Sequence, residues 1–277
     1  MERRKGWRIA AVIGLSVLAL TGCGQKTASH VEGLDALGEI QAYTREDDSG
    51  TRASWDDLLS VTSEAEDLAQ AVSTEDMLKA VGSDASAIGY LSQDAADESV
   101  KLLQVNGKDI SDKGYPLTRR LYLVYQGEPS DLEREFITFV TGKGQDIVSE
   151  QFEPVKKSTS FLSLKPEGTI KIGGSSSEAP VMEKLAEAYQ KENPNADISV
   201  KTTDSGDGIN GALEGTYDLG MSSRSPKDYE KNLLTFIPAA KDRIAVIVQS
   251  ENPLDGITKK QLASIYTGKT EDWDDLG

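Results

Sequence analysis

The sequence predicts an α/β fold with mostly parallel sheets, divided into two lobes. Short apolar segments typical of strands alternate along the chain with amphipathic segments typical of helices. The length of 277 residues suits two lobes of roughly 100–150 residues each. A hydrophobic content of 38% is typical of a globular protein. Together, these three observations predict the fold class.

The first half of the chain supplies both kinds of element. Periodic apolar residues predict helix through most of 54–80, and a buried strand follows over Ala87–Leu91. A serine N-cap and apolar periodicity predict a helix over Ser130–Val140. The other predicted elements here are strands at Glu39–Tyr43, Leu102–Val105 and Leu121–Tyr125, and a short helix over about Gly144–Gln151.

Residues 153–168 are rich in Pro, Lys and Ser and predict a linker. A strand over Thr169–Gly173 follows, and Pro180 marks the first turn of an amphipathic helix. Later elements keep the alternation of strand and helix. They are strands at Ile198–Val200, Asp218–Met221 and Ile244–Gln249, and helices at about Gly208–Leu213 and Thr258–Ile265.

The N-terminus has the pattern of a bacterial lipoprotein signal. Basic residues precede an apolar run, Ile9–Leu20, that is short for a membrane span. The sequence Leu-Thr-Gly-Cys ending at Cys23 resembles a lipobox. We therefore expect a signal peptide over 1–22, lipidation of Cys23, a polar tether over 23–37, and an extracytoplasmic protein anchored to the cell membrane. The alternative is an uncleaved anchor with an incidental cysteine.

Charge and residue counts argue against several functional classes. The net charge of −16 offers no concentrated basic face, so we do not expect nucleic acid as a partner. One cysteine excludes disulfides within the chain and cysteine-based metal clusters. The one histidine, His30, lies in the predicted tether, and no nucleophile–base pair is evident. We therefore expect no enzyme activity, no cofactor and no metal.

Four Ser- and Gly-rich loops follow predicted strands, and at least two of them begin helices. A helix N-terminus presents unpaired N–H donors and the positive end of the helix dipole, which suits an anion. Any one loop could serve only as an ordinary N-cap. Their joint occurrence favours an anion site. The loops are Arg45–Thr51, Gly174–Glu178, Asp204–Gly208 and Gly220–Arg224.

These loops and their flanks resemble the phosphate-binding proteins of ABC transporters. Gly168–Pro194 is similar to that family's opening strand, loop and helix, and Asp204–Ile209 and Tyr217–Arg224 to its second and third loops. Tyr43–Arg52 resembles its fourth loop, and the likeness extends over most of the chain. The resemblance implies a two-lobed, periplasmic-binding-protein-like fold of type II, in which helices flank a mostly parallel sheet in each lobe.

The order of these segments differs from that of the family. Here the half with the Arg45–Thr51 loop precedes the half with the Ser-rich loop, so the chain resembles a circular permutant. The linker over 153–168 would then join the family's usual termini. One lobe would be discontinuous, 38–114 plus 239–277, and the other continuous, 115–238. The alternative is a truncated or misassembled gene.

The resemblance implies that the protein binds inorganic phosphate between its lobes for uptake through an ABC transporter permease. A monomer is expected. The lobes would close by hinges near Gly114–Pro116 and Pro238–Asp242. The groups expected around the anion are Ser176, Ser177, the Glu178 backbone N–H, Ser205, Ser223, Arg224, Arg45, Ser49, Gly50 and Thr51.

One departure leaves the selectivity open. Some family members carry an Asp in the third loop that accepts the proton of hydrogen phosphate and so excludes sulfate. This chain has Ser222-Ser223-Arg224 there, so we expect the acceptor elsewhere, at Asp207 or Asp47, and Arg224 either at the anion or in solvent. Alternatives are a sensor or binding protein for sulfate or molybdate without a transport role, an extracytoplasmic phosphatase, or a ligand-free lobe pair that binds a protein.

Overall fold

Strands and helices alternate along residues 31–276, the part of the chain that the computed structural model describes. The predicted signal peptide and the lipidation of Cys23 lie outside these residues. The α-helices are α1 (Gly50–Leu59), α2 (Thr74–Gly82), α3 (Asp131–Val140), α4 (Gln145–Val148), α5 (Ala179–Glu192), α6 (Ser205–Glu214) and α7 (Lys259–Tyr266). The strands are β1 (Gln41–Arg45), β2 (Ala69–Ala71), β3 (Ala87–Ser92), β4 (Val100–Leu102), β5 (Gln104–Val105), β6 (Thr118–Tyr125), β7 (Glu153–Pro154), β8 (Gly168–Ser175), β9 (Ala196–Thr203), β10 (Leu219–Ser222), β11 (Thr235–Gln249) and β12 (Gly256–Ile257).

One ten-stranded sheet has the order β2-β1-β3-β11-β6-β10-β8-β9, and β4 and β7 also pair with β11. Toward one edge β1 runs parallel to β2 and β3, and toward the other β8 runs parallel to β9 and β10. In the centre β11 is antiparallel to both β3 and β6. The predicted α/β fold is confirmed, with a mixed sheet.

Strand β11 joins the two parallel groups. Its residues 235–243 pair with β6, and its residues 244–248 pair with β3. The register shifts between Pro238 and Ala240, which marks a bulge in the first of these pairings. A single strand therefore crosses from one half of the sheet to the other.

Two main hydrophobic cores lie on either side of this crossing. The first draws its residues from 34–117 and 244–276 and is centred on Trp55, which stacks on Tyr90 at 4.2 Å between ring centroids. The second draws its residues from 121–240. The predicted lobe boundaries stay a prediction, which these separate cores support. Every helix within 31–276 is too short or too polar to cross a bilayer.

The helix predicted through 54–80 is wrong in its middle. Helix α1 ends at Leu59, where Ser60 turns into the left-handed region at φ 59°, and α2 begins only after Ser73. Between them lies the short strand β2, and Val72, which the periodicity places on the buried face, is 70% exposed. The predicted N-cap of α3 is present, and both α3 and α7 begin with a full capping box.

Candidate functional site

The four Ser- and Gly-rich loops meet at one small, tightly closed cavity. Each loop follows the carboxyl end of a strand, namely β1, β8, β9 or β10. Ligands of open α/β sheets bind at such strand ends, so this placement suits a binding site. The cavity is lined by Arg45, Glu46, Ser49, Gly50, Thr51, Ser175, Ser176, Asp204, Ser205 and Ser223.

Helix α1 directs its N-terminus at the cavity. Ser49 is the N-cap, and its hydroxyl accepts from the Arg52 backbone N–H at 3.4 Å. One turn further, Trp55 is fully buried, and Tyr266 packs edge-on against it at 5.0 Å. The aromatic core thus holds the N-terminal turn of α1, including Gly50 and Thr51, at the cavity wall.

Gly50 lets the first half of the chain approach the second. A Cβ atom at this position would lie 2.6 Å from the Ser223 hydroxyl oxygen and would also clash with the Ser205 hydroxyl. Nearby, the Gly206 backbone N–H donates to the Asp48 carbonyl at 3.1 Å. The α1 loop and the α6 loop are therefore in direct contact.

Hydroxyl pairs also bridge the two halves. The hydroxyls of Thr51 and Ser177 are 3.1 Å apart, and those of Thr74 and Ser176 are 3.2 Å apart. In each pair the threonine comes from the first half and the serine from the Ser-rich loop. A hydroxyl hydrogen rotates freely about its C–O bond. Each of these hydroxyls can therefore turn from its present partner and donate to a bound ligand instead.

Ser205 and Ser223 form a third hydroxyl pair. Their oxygens are 3.2 Å apart, and the Ser223 backbone N–H donates to the Ser205 hydroxyl at 3.0 Å. Both residues are almost fully buried. The structure therefore brings together Ser49, Ser176, Ser205 and Ser223, which the sequence analysis placed around one anion.

Arg45 lies at the cavity wall, but its guanidinium already has partners. Nε and Nη2 donate to the two carboxylate oxygens of Glu46, each at 2.7 Å, and Nη1 donates to the Thr74 hydroxyl at 3.2 Å. Three of its five N–H donors are thus engaged, which leaves two. The Nε–Nη2 edge of the guanidinium therefore faces Glu46.

Two other predicted ligands point elsewhere. The Arg224 guanidinium pairs with Glu230, Nη1 at 2.8 Å and Nη2 at 2.6 Å, so it faces neither the cavity nor the solvent. The expectation for Arg224 is corrected accordingly, because a buried carboxylate six residues away captures it. The Glu178 backbone N–H donates to the Ser175 carbonyl at 3.1 Å, within the turn that begins α5.

Acidic side chains line the cavity where the sequence analysis did not expect them. Asp47 and Asp207, the acceptors it suggested, are exposed and absent from the wall, whereas Glu46 and Asp204 line it. Burial raises the pKa of Asp204, although its carboxylate caps α6 by accepting from the Asp207 N–H at 2.8 Å. Asp204 directly precedes Ser205, a predicted ligand, and this position could have identified Asp204 as a residue of the cavity wall.

Within 31–276, no three or more His, Cys, Asp or Glu side chains are arranged to hold a metal ion. What the wall offers instead is a set of hydroxyl and N–H donors, one guanidinium and two carboxylates. This arrangement can bind a small oxyanion. A ligand that also has a proton to donate would suit the carboxylates.

A family model described as the PBP superfamily domain matches residues 27–143 and 161–277. The phosphate-binding protein PstS 2 of Streptococcus pneumoniae serotype 4 is 35% identical over 283 aligned positions, which cover 96% of this chain and 97% of that protein. The chain belongs to the PstS family. The family resemblance seen in the sequence is thereby confirmed.

A second relative and a crystal structure support the same assignment. PstS 2 of Streptococcus agalactiae serotype V is 33% identical and covers 100% of this chain and 99% of its own length. A crystal structure of a phosphate-binding protein of a phosphate ABC transporter, from Streptococcus pneumoniae TIGR4, has a TM-score of 0.71 and 35% identity. That match covers 87% of this chain and 100% of the other, so the periplasmic-binding-protein-like fold is also confirmed.

Proposed function

We propose that this protein binds inorganic phosphate between its two halves and delivers it to the permease of an ABC importer. Its PstS relatives are phosphate-binding proteins, and its structural relative belongs to a phosphate ABC transporter, which supports both the ligand and the transport role. The observation that carries the proposal is the convergence of four loops, one from the first half of the chain and three from the second, on one cavity lined by hydroxyl groups and a guanidinium. A single small oxyanion is the ligand that such a set of donors suits.

The donors replace the water that phosphate loses. A desolvated oxyanion needs many fixed hydrogen bonds, and hydroxyl and N–H groups supply them without full charge neutralisation. Ser49, Ser176, Ser205 and Ser223 provide hydroxyls at the wall, and the first turn of α1 adds backbone N–H groups. Arg45 adds charge through its two remaining donors.

The two carboxylates at the wall favour a protonated ligand. Glu46 and Asp204 can accept a hydrogen bond from hydrogen phosphate, which sulfate cannot donate at neutral pH. An ionised carboxylate facing an unprotonated anion is repelled instead. We therefore propose phosphate rather than sulfate or molybdate as the ligand.

A thermal-shift experiment tests the proposal. A ligand that binds only the folded state must raise the melting temperature, so excess phosphate should raise it in the wild-type protein. Arg45→Ala should abolish the rise, because it removes the one guanidinium at the wall. We also propose that the protein binds phosphate without catalysing a reaction. Release of phosphate from a generic phosphomonoester would contradict that second proposal.

The remaining proposals concern the whole chain. Lipidation at Cys23, extracytoplasmic anchoring and a monomeric state are proposed from the N-terminal pattern and the family. Circular permutation is proposed because residues 156–167, which contain no helix or strand, connect β7 to β8 where the family's usual ends would meet. Near full-length alignment with two relatives favours a genuine segment order over a misassembled gene.

A further inference from the structure

Three buried ionisable side chains lie behind the anion cavity, where β6, β10, β11 and the start of α5 meet. They are Arg119 on β6, Asp242 on β11 and Glu178 immediately before α5. The two carboxyl residues are fully buried, and the Arg119 side chain is 3% exposed. This group is distinct from the cavity wall, which none of the three lines.

Arg119 and Asp242 form a buried ion pair, although Arg119 Nη2 makes no hydrogen bond of normal geometry. Arg119 Nε donates to Asp242 Oδ2 at 2.8 Å, and Nη2 lies 2.7 Å from the same oxygen. The other oxygen, Oδ1, accepts from the Ser92 hydroxyl at 2.9 Å. The one positive charge of the group is therefore already balanced. Arg119 also reaches the anion site, since its Nη1 donates to the Ser223 carbonyl at 3.5 Å.

Glu178 has no such partner. Both of its carboxyl oxygens are buried without a hydrogen bond of normal geometry. The charged groups that act on it are Arg119 from β6 and Asp242 from β11, and the backbone N–H groups of Tyr122 and Ser222 lie close to it. Arg224, which follows β10, is paired with Glu230.

Charge balance indicates which form Glu178 takes. If it were ionised, two buried carboxylates would share one guanidinium, and the excess negative charge would lie just behind the loop that faces the anion. A neutral carboxylic acid avoids both costs. Burial accordingly raises the pKa of Glu178 well above its usual range, against the opposing effects of Arg119 and of the Tyr122 and Ser222 backbone N–H groups.

We propose that Glu178 is a positioning residue that acts as a neutral carboxylic acid. Carrying its proton, it fills the space beside Arg119 and beneath the Ser222–Ser223 backbone, and it holds that loop at the anion cavity without adding negative charge behind the ligand. Because it concerns the anion site, the inference rests on the proposed function. Its test must therefore have one readout that does not depend on binding.

Nuclear magnetic resonance supplies that readout. In wild-type protein labelled with ¹³C at the glutamate side-chain carboxyl, one glutamate signal should stand at the chemical shift of a protonated acid at pH 7. Glu178→Gln should remove that signal, whereas Glu183→Gln, on the exposed face of α5, should leave it unchanged. If every glutamate of the wild-type protein is ionised at pH 7, the proposal is overturned, whether or not the variants fold.

Phosphate affinity tests the positioning role. Gln resembles a protonated Glu in shape and charge, so Glu178→Gln should keep the Kd within about twofold, as Glu183→Gln should. Glu178→Ala leaves Arg119 and the loop without this support and should weaken binding roughly tenfold. A loss in the Gln variant as large as in the Ala variant would overturn the inference. Absence of phosphate binding in the wild type would instead defeat the proposed function, with the carboxyl signal unaffected.

Discussion

At the scale of single residues, Gly50 determines how closely the two halves of the chain approach each other. A side chain here would collide with the hydroxyls of Ser205 and Ser223, both of which line the cavity. We expect Gly50→Ala to weaken phosphate binding at least tenfold. Gly256→Ala is a matched control, because its Cβ would meet nothing closer than 3.3 Å. Equal affinity in the two variants would show that the halves need not meet at Gly50.

Asp56 makes the stability depend on pH. Burial and, second, repulsion by Glu64 raise the pKa of Asp56 to about 7, while Arg52 opposes the rise. Between the ordinary pKa of about 3.9 and pH 7, the folded state binds more protons than the unfolded state. The free energy of unfolding therefore decreases as pH rises through that window.

Asp56→Asn should remove this dependence. The neutral amide cannot ionise, so at pH 8 the variant should be more stable than the wild type by about 1–2 kcal/mol, a figure reduced for partial solvent exposure. At pH 4 the two should be alike. Urea unfolding at both pH values measures the effect, and Asp57→Asn, at the exposed neighbouring position, is the control. A constant difference across pH would contradict the explanation.

The site residues differ in how far the sequence could identify them. Ser49 and Ser205 open helices after strands, and that position alone predicts donors at a shared sheet edge. The partners of Arg45 and Arg224 were not predictable, because either could face an anion or a nearby acid. Only the folded geometry shows that Glu46 and Glu230 are those acids.

At the scale of elements, α1 links helix stability to binding. Ser49 caps α1 and lines the cavity, whereas Ser130 caps α3 far from it. Replacing either serine by Ala should cost about 1 kcal/mol of stability, as for other N-caps. Only Ser49→Ala should also weaken phosphate binding. Chemical unfolding and titration of both variants check this, and equal affinity would remove Ser49 from the site.

The elements show what local patterns can and cannot predict. The helix starts predicted at Ser130 and Thr258 are correct, because the capping contacts that fix each start lie within one turn. The break after Leu59 was missed because its cause is not local. Glu64, in the connecting segment, is held by Thr44 at 2.8 Å and by Arg52 at 2.7 Å, so tertiary contacts override the helical periodicity.

At the scale of the molecule, release of a ligand from a cavity enclosed by both halves requires the halves to separate. Strand β11 crosses between them and carries a bulge at Pro238, inside one of the predicted hinges. The sequence indicated this crossing only through the family resemblance. Pairing of one strand with both β3 and β6 depends on residues far apart in the chain, and no short pattern records it.

A disulfide across the cavity tests this motion. The hydroxyls of Thr51 and Ser177 are 3.1 Å apart and come from different halves, so Thr51→Cys with Ser177→Cys should form a bridge on oxidation. With Cys23 also replaced by Ser, phosphate dissociation should slow at least tenfold when the bridge forms and recover on reduction. Each single cysteine variant is a control. Unchanged dissociation in the bridged protein would show that opening is not needed.

Titration calorimetry with phosphate and sulfate in parallel tests the central claim most directly. The account predicts one phosphate per chain, weaker or absent sulfate binding because Glu46 and Asp204 require a ligand proton, and loss of phosphate binding in Arg45→Ala. Heat exchange with neither anion, or phosphate binding that survives Arg45→Ala with unchanged affinity, would contradict the claim that these loops enclose one oxyanion.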